Sequence, residues 1–252
     1  MRFGLCTGLE NIELCARLGF DYIECAVSAI TALSDEDYEK ALAAVKASAV
    51  KMERANVLFP GGMTLIGPGN DLKAFAGYLE KAFPRLSALG AATVVFGSGK
   101  ARAIPPELPF GRGYRELVAM TKRIGEIAGD HGITIAIEPL NREECNCINS
   151  VKEGAMLEAD AGLPSVGLLA DLYHMLKDKE SMDNIIAVKS LKHTHVALLE
   201  GRGFPVKQTP DLAAFFGALK QIAYDGTMSI EGKTENLESD AAESLKTLRA
   251  MV

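Results

Sequence analysis

The sequence contains no tryptophan, only four histidines, and five cysteines spread over 252 residues. An odd number of cysteines scattered this thinly does not make a disulfide framework, so they read as reduced thiols. Cys145 and Cys147 lie too close together for a zinc knuckle and have no matching pair elsewhere, which leaves them packing or loop roles. No excess of positive charge exists either: the formal net charge is -6 and the basic residues are dispersed along the chain. Nucleic acid and anionic membranes are therefore excluded as expected partners. No apolar run approaches the roughly 18 residues of a membrane span. The N-terminal MRFGLCTG passes at once into an amphipathic stretch containing acids, unlike a signal or transit peptide, so the expected location is cytoplasmic. Also missing are a glycine fingerprint for a dinucleotide after the first strand, the phosphate loop GxxxxGK[ST], any low-complexity tract and any linker that would divide the chain.

What the sequence has is alternation. With 48% hydrophobic residues the chain can bury a large core, and short apolar strands are followed by helical patterns throughout. Strands are expected at Arg2 to Cys6, Asp21 to Val27, Ala55 to Gly61, Ala92 to Gly99, Ile133 to Asn141, Val166 to His174 (with its lip), Leu191 to Leu198 and Thr227 to Lys233. Between them lie helical stretches, among them one from the Ser34–Asp37 capping signal to about Ala55, one opened by Asp71, and one from Tyr114 to Asp130. Eight such units, at a spacing of roughly thirty residues, predict a single (β/α)₈ TIM barrel spanning residues 1–252. A doubly wound open sheet is the weaker alternative.

The barrel reading gives the unusual polar residues a common address. In ITIAIEPLN, Ile133, Ile135 and Ile137 share one face and suit a helical layer, while Thr134, Ala136 and Glu138 share the other and point inward. Pro139 ends that strand. By the same parity Asp171 lies with Gly167 and Leu169, and Glu231 with Thr227 and Ser229. Glu138, Asp171, His195 and Glu231 thus stand at the C-terminal ends of strands five to eight, which converge on one mouth. Three carboxylates and an imidazole brought together repel one another unless a cation sits among them. A divalent ion, Mn²⁺ or Mg²⁺ first and Co²⁺ or Zn²⁺ next, suits this oxygen-rich set. Spacing alone leaves His193 or His195 as the nitrogen donor.

The residues IEPLNREE, DLYHM, HTH and SIEGK resemble the motifs of the xylose isomerase-like sugar (phosphate) isomerase and epimerase superfamily, most closely its ketose 3-epimerase group, and the likeness runs through most of the chain. The resemblance implies metal ligation by Glu138, Asp171, His195 and Glu231, and substrate contacts from His174, Glu144 and Arg202. It implies a small sugar or sugar derivative as partner, with a homo-oligomer compatible. With no tryptophan, any aromatic contact to a sugar has to come from Phe or Tyr. The expected chemistry is chelation of an α-hydroxy ketone by the cation, formation of an enediolate, and proton transfer by Glu138 and Glu231 from opposite faces, inverting the centre.

Competing readings use the same scaffold. A lyase that dehydrates a keto-inositol or dehydroshikimate would expel a β-hydroxyl instead of reprotonating carbon, and a non-catalytic sugar-binding barrel would keep the fold alone. Abasic-site endonucleases of this fold need a histidine-rich trinuclear zinc cluster, which four histidines and an acidic chain argue against. Four further features carry two readings each or a bland one. Glu24 is read either as a substrate contact or as a structural ion pair, and the GSGKAR stretch (Gly97 to Arg102) either as an anion grip through Lys100 or as a solvated loop. His193 is read as a hydrogen-bonded interior residue, and His131 as a turn residue at the far end of the barrel.

Overall fold

In the computed structural model, which describes residues 1–188 and 190–252, eight parallel strands close into a barrel in sequence order, β1 to β8. These are β1 (Arg2–Cys6), β2 (Tyr22–Ala26), β3 (Lys51–Asn56), β4 (Thr93–Phe96), β5 (Thr134–Ile137), β6 (Val166–Asp171), β7 (His193–Val196) and β8 (Thr227–Ile230). The circle closes where β1 pairs with β8, Gly4 opposite Ser229. Helices cover the outside. The longest, Phe110–Asp130, buries Gly113, Leu117, Met120, Thr121, Ile124, Gly125 and Ala128, the three-and-four spacing of one helical face. Ile135 and Ile137 of β5 join the large core between barrel and helices, as their parity requires.

The barrel interior is divided. On the β4–β6 side Val95, Ala136 and Leu169 form a small apolar layer of their own. On the other side the filling is polar: Tyr22, Glu24, His193, His195, Thr227 and Ser229 are all buried. Tyr22 reaches Ser229 Oγ across the barrel at 2.9 Å. It can do so because Gly4 has no side chain, since a Cβ there would stand 2.1 Å from the Tyr22 ring.

Most strands are shorter than the sequence led one to expect, and two of the departures bear on the site. The third strand is Lys51–Asn56, and the helix before it ends at Ala47. Lys-Met-Glu-Arg-Ala favours helix locally, but five residues of this segment pair with β2, and tertiary pairing overrides propensity. Val57 to Phe59, expected within the strand, lie beyond it, and Val57 takes a positive φ of 47°. The sixth strand stops at Asp171, whose carboxylate accepts from the amides of Tyr173 and His174 and caps the short helix Leu172–Lys177. His174 therefore lies on a helix and not on a strand lip. Among the described residues no helix is long and apolar enough to cross a membrane.

Candidate metal centre at the barrel mouth

Glu138, Asp171, His195 and Glu231 meet at the C-terminal rim of β5 to β8. One ligand atom from each lies within 4.8 Å of the others. Register explains much of this: Asp171 pairs with His195, and His195 with Ser229, so the inward residues of three neighbouring strands sit at similar heights. His195 Nδ1 is 3.0 Å from Glu138 Oε1, 3.4 Å from Glu231 Oε2 and 3.9 Å from Asp171 Oδ2. Glu138 has space at the rim because residue 97 is glycine, where a Cβ would lie 2.1 Å from Glu138 Oε2.

The donor set fits a divalent cation on one specific observation. Asp171 Oδ1 accepts from the Tyr173 amide at 2.7 Å, whereas Oδ2 is buried with no hydrogen-bond partner. Oδ2 lies 3.9 Å from His195 Nδ1 and 3.6 Å from the Arg202 guanidinium, neither of which hydrogen-bonds it, so this buried oxygen keeps its lone pairs free for a cation at the centre. An oxygen-rich set with one imidazole suits Mn²⁺, Mg²⁺, Co²⁺ or Zn²⁺.

A second layer of contacts fixes these groups. Glu24, fully buried on β2, accepts from His195 Nε2 at 2.9 Å and from His193 Nε2 at 2.8 Å. A carboxylate only accepts, so both imidazoles carry a proton on Nε2, and His195 turns its other ring nitrogen, Nδ1, to the other three residues. Glu24 is thus the structural partner of two histidines, and His193, whose Nδ1 lies 2.8 Å from Thr227 Oγ1, is the hydrogen-bonded interior residue expected. Asn56, at the end of β3, donates to Glu231 Oε1 at 3.0 Å.

The electrostatics separate the two glutamates. Burial, reinforced by the charge of Glu231, pushes the Glu138 carboxyl above its ordinary range. Burial acts the same way on Glu231, but the charges of His195 and Arg202 outweigh it and hold that carboxyl low. At His195 burial disfavours the charged ring, and the carboxylates of Glu24 and Glu231 more than reverse it.

Three further residues border the quartet. His174 Nδ1 accepts from the Asn141 amide at 3.2 Å, so its proton sits on Nε2, 3.7 Å from Asp171 Oδ2. Arg202 forms an ion pair with Glu231, lies 3.6 Å from Asp171 Oδ2 and 3.8 Å from Glu144 Oε1, and stacks 4.7 Å above the Tyr173 ring. Positive φ at Gly201 and Arg202 (64° and 53°) turns this loop back over the mouth. Glu144 accepts from Asn141 Nδ2 at 2.9 Å and is partly open to solvent.

Three residues at this end of the barrel were not foreseen. Arg102 matches neither reading of GSGKAR: it is fully buried and donates to the carbonyls of Phe96 and Glu138 at 2.8 and 2.7 Å, tying the ends of β4 and β5 together. Lys100 remains exposed on the short helix Gly99–Arg102. Asn56 was hidden by the misplaced third strand, and Cys6 carried no motif. Cys145 and Cys147 pack with their sulfurs 3.8 Å apart and donate to the carbonyls of Gly99 and Arg102, fastening the loop that carries Glu144. His131 closes the helix Phe110–Asp130 and stacks on Phe83.

A closed eight-stranded parallel barrel with a carboxylate-rich cluster at its C-terminal rim defines a class of barrel proteins built around that mouth. Within it, the chain belongs to the xylose isomerase-like TIM barrel family, whose model matches residues 12–251. An L-ribulose 3-epimerase of Methylomonas sp. (strain DH-1) is 34% identical over 115 residues, 45% of this chain and 40% of that protein. A ketose 3-epimerase of Arthrobacter globiformis is 28% identical over 165 residues, 64% of this chain and 56% of that protein. The chain thus matches about half the length of these two relatives. A solved D-allulose 3-epimerase from Methylomonas sp., in complex with D-allulose, shares the fold with a TM-score of 0.87 at 23% identity, covering 100% of this chain and 97% of that one.

Proposed function

We propose that this protein is a divalent-metal-dependent epimerase that inverts the carbon next to the carbonyl of a ketose. The observation that carries the reading is the convergence of Glu138, Asp171, His195 and Glu231, with an Asp171 oxygen that accepts no hydrogen bond facing the centre. These four residues would hold the ion. When bound, a divalent cation supplies Lewis acidity, polarising a ketone oxygen and offsetting negative charge as a neighbouring C–H proton leaves.

The remaining work falls to the side chains. Glu138 and Glu231 project from strands separated by β6 and β7 and reach the same point from different sides of the mouth. One removes the proton from the substrate carbon, and the other returns a proton to the opposite face of the planar intermediate. The two exchange roles in the reverse direction, and positioned groups of this kind each contribute roughly 10² to 10⁴ in rate. His174, with its proton on Nε2, donates to a substrate oxygen, and Arg202 and Glu144 bind hydroxyl groups at the rim. The similarity to a ketose and an L-ribulose 3-epimerase named above supports inversion at carbon three.

The test is incubation of the manganese-loaded protein with D-fructose and L-ribulose in deuterated water. The expected product is the epimer at carbon three carrying one deuterium there. Glu138→Gln and Glu231→Gln, each with metal still bound, are expected to lose at least 100-fold in turnover, about the contribution of one positioned acid–base group. Near-full turnover by either variant would end the two-carboxylate mechanism, and loss of water from the substrate would replace epimerisation with dehydration.

A further inference from the structure

Beside the quartet, and outside it, lies a second space. A cavity of about 400 Å³ opens at the ends of β1, β2 and β3, lined by Cys6, Thr7, Glu10, Ala29, Leu33 and Asp37 among others. None of Glu138, Asp171, Glu231 or His174 borders it. It begins at the quartet nonetheless: Glu24 and Asn56, in its wall, hydrogen-bond His195 and Glu231 respectively, and the Cys6 sulfur lies within 4.8 Å of a ligand atom of His195. Its volume therefore adds to whatever the quartet itself holds, and it falls in the range that accepts a ring-sized ligand group, about 300–1,000 Å³.

The lining defines what enters. Away from the quartet the floor is Ala26, Ala29, Ile30, Leu33 and Ala41, an apolar surface. The polar groups at the rim are Thr7, Glu10 and Asp37, and among the described residues no lysine, arginine or histidine lines the cavity. Glu24 offers nothing to a ligand because both its oxygens are taken by histidines. Phosphate or carboxylate would meet Glu10 and Asp37, and Lys40, the cation beside Asp37, is already paired with it and with Glu36, whereas a sugar or aryl ring would find an apolar surface for its face and acceptors at the rim for its hydroxyls.

We infer that the substrate is a ketose carrying an uncharged ring, a second sugar or an aryl group, at the end of its chain remote from the carbonyl, with this cavity as the site for that ring. This rests on the ketose reading of the quartet, which holds the other end. Cys6, at the junction, is a specificity residue: it lines the cavity and its sulfur lies within 4.8 Å of a ligand atom of His195, so the size of this side chain sets the space between the quartet and the cavity.

Isomaltulose, a ketohexose bearing a glucosyl group on its terminal carbon, is the probe, compared with D-fructose and with fructose phosphorylated at the same carbon. Calorimetric titration into manganese-loaded protein is expected to show isomaltulose binding at least tenfold more tightly than either comparator. Ala29→Phe, at an exposed helical position of the cavity wall, should abolish that advantage and leave D-fructose binding unchanged. Ala41→Phe, on the neighbouring helix, should do the same. Equal or tighter binding of D-fructose or of its phosphate by the parent protein overturns the inference, and so does an isomaltulose advantage that survives both substitutions. Deuterium exchange is read separately. If no ketose exchanges while the isomaltulose advantage appears and Ala29→Phe removes it, the epimerase reading fails and the ring site stands.

Discussion

Glu24→Gln isolates the group that orients His195, the histidine of the proposed metal quartet. In the parent protein the two Glu24 oxygens each accept from one imidazole, His195 at 2.9 Å and His193 at 2.8 Å, all three side chains being completely buried. Glutamine keeps the shape but offers one acceptor and one donor, so one imidazole has to move its proton to Nδ1. His193 can do this without loss, because its Nδ1 lies 3.0 Å from the Thr227 carbonyl, which then accepts. His195 cannot do so and still offer Nδ1 to the proposed metal ion. The amide therefore turns its oxygen to His195 and its nitrogen to His193. What is lost is the negative charge that makes His195 a better donor, an effect worth about 10- to 100-fold in metal affinity, or about 1.4–2.7 kcal/mol. The folding cost should stay near the net value of one hydrogen bond, about 1 kcal/mol. Glu24→Ala removes both acceptors and is expected to destabilise the fold by about 3–5 kcal/mol as well as weaken metal binding. Isothermal titration with Mn²⁺ and urea unfolding of both variants measure these quantities. Parent-like metal affinity in Glu24→Gln, or parent-like stability in Glu24→Ala, would refute the reasoning.

Other perturbations test neighbouring contacts. Gly97→Ala sets a Cβ 2.1 Å from Glu138 Oε2 and displaces that carboxylate, so metal affinity should fall at least tenfold with little change in far-UV circular dichroism. Asn56→Ala frees one oxygen of Glu231, held by the amide at 3.0 Å, and should lower kcat several-fold while KM changes little. Arg202→Ala should raise KM more than it lowers kcat, because the guanidinium is assigned to substrate binding. Adding Mn²⁺ at 100 times its Kd should stabilise the protein by about 2.7 kcal/mol in urea titrations, and a chelator should remove the gain. The quartet variant Asp171→Asn should show no such gain.

The quartet was legible in the chain because strand parity is a strict period of two: once Glu138, Asp171 and Glu231 are placed at strand ends, small or polar neighbours two residues back show which face they share. His195 was separated from His193 only by nearness to the lip and by resemblance, and the reason the chain carries both lies across the barrel in Glu24, 171 residues from His195 in sequence. Long-range hydrogen bonds of this kind leave no local pattern. Asn56 was missed for a different reason. Its strand is written in residues that favour helix, and only pairing with β2 reveals it. Arg102 sits in a stretch whose glycines and cations suggest an exposed anion grip, and its burial follows from the carbonyls of β4 and β5 that it satisfies. The Asp171 cap was available in the sequence, as an Asx residue before a helical stretch, and it accounts for His174 lying on a helix.

Anomalous diffraction from crystals grown with Mn²⁺ tests the central claim most directly. A single strong peak is expected within about 2.1–2.3 Å of Glu138, Asp171, His195 Nδ1 and Glu231, distances typical of such ions and oxygen or nitrogen donors. A peak elsewhere in the barrel, or none at these four side chains in fully loaded crystals, would contradict it.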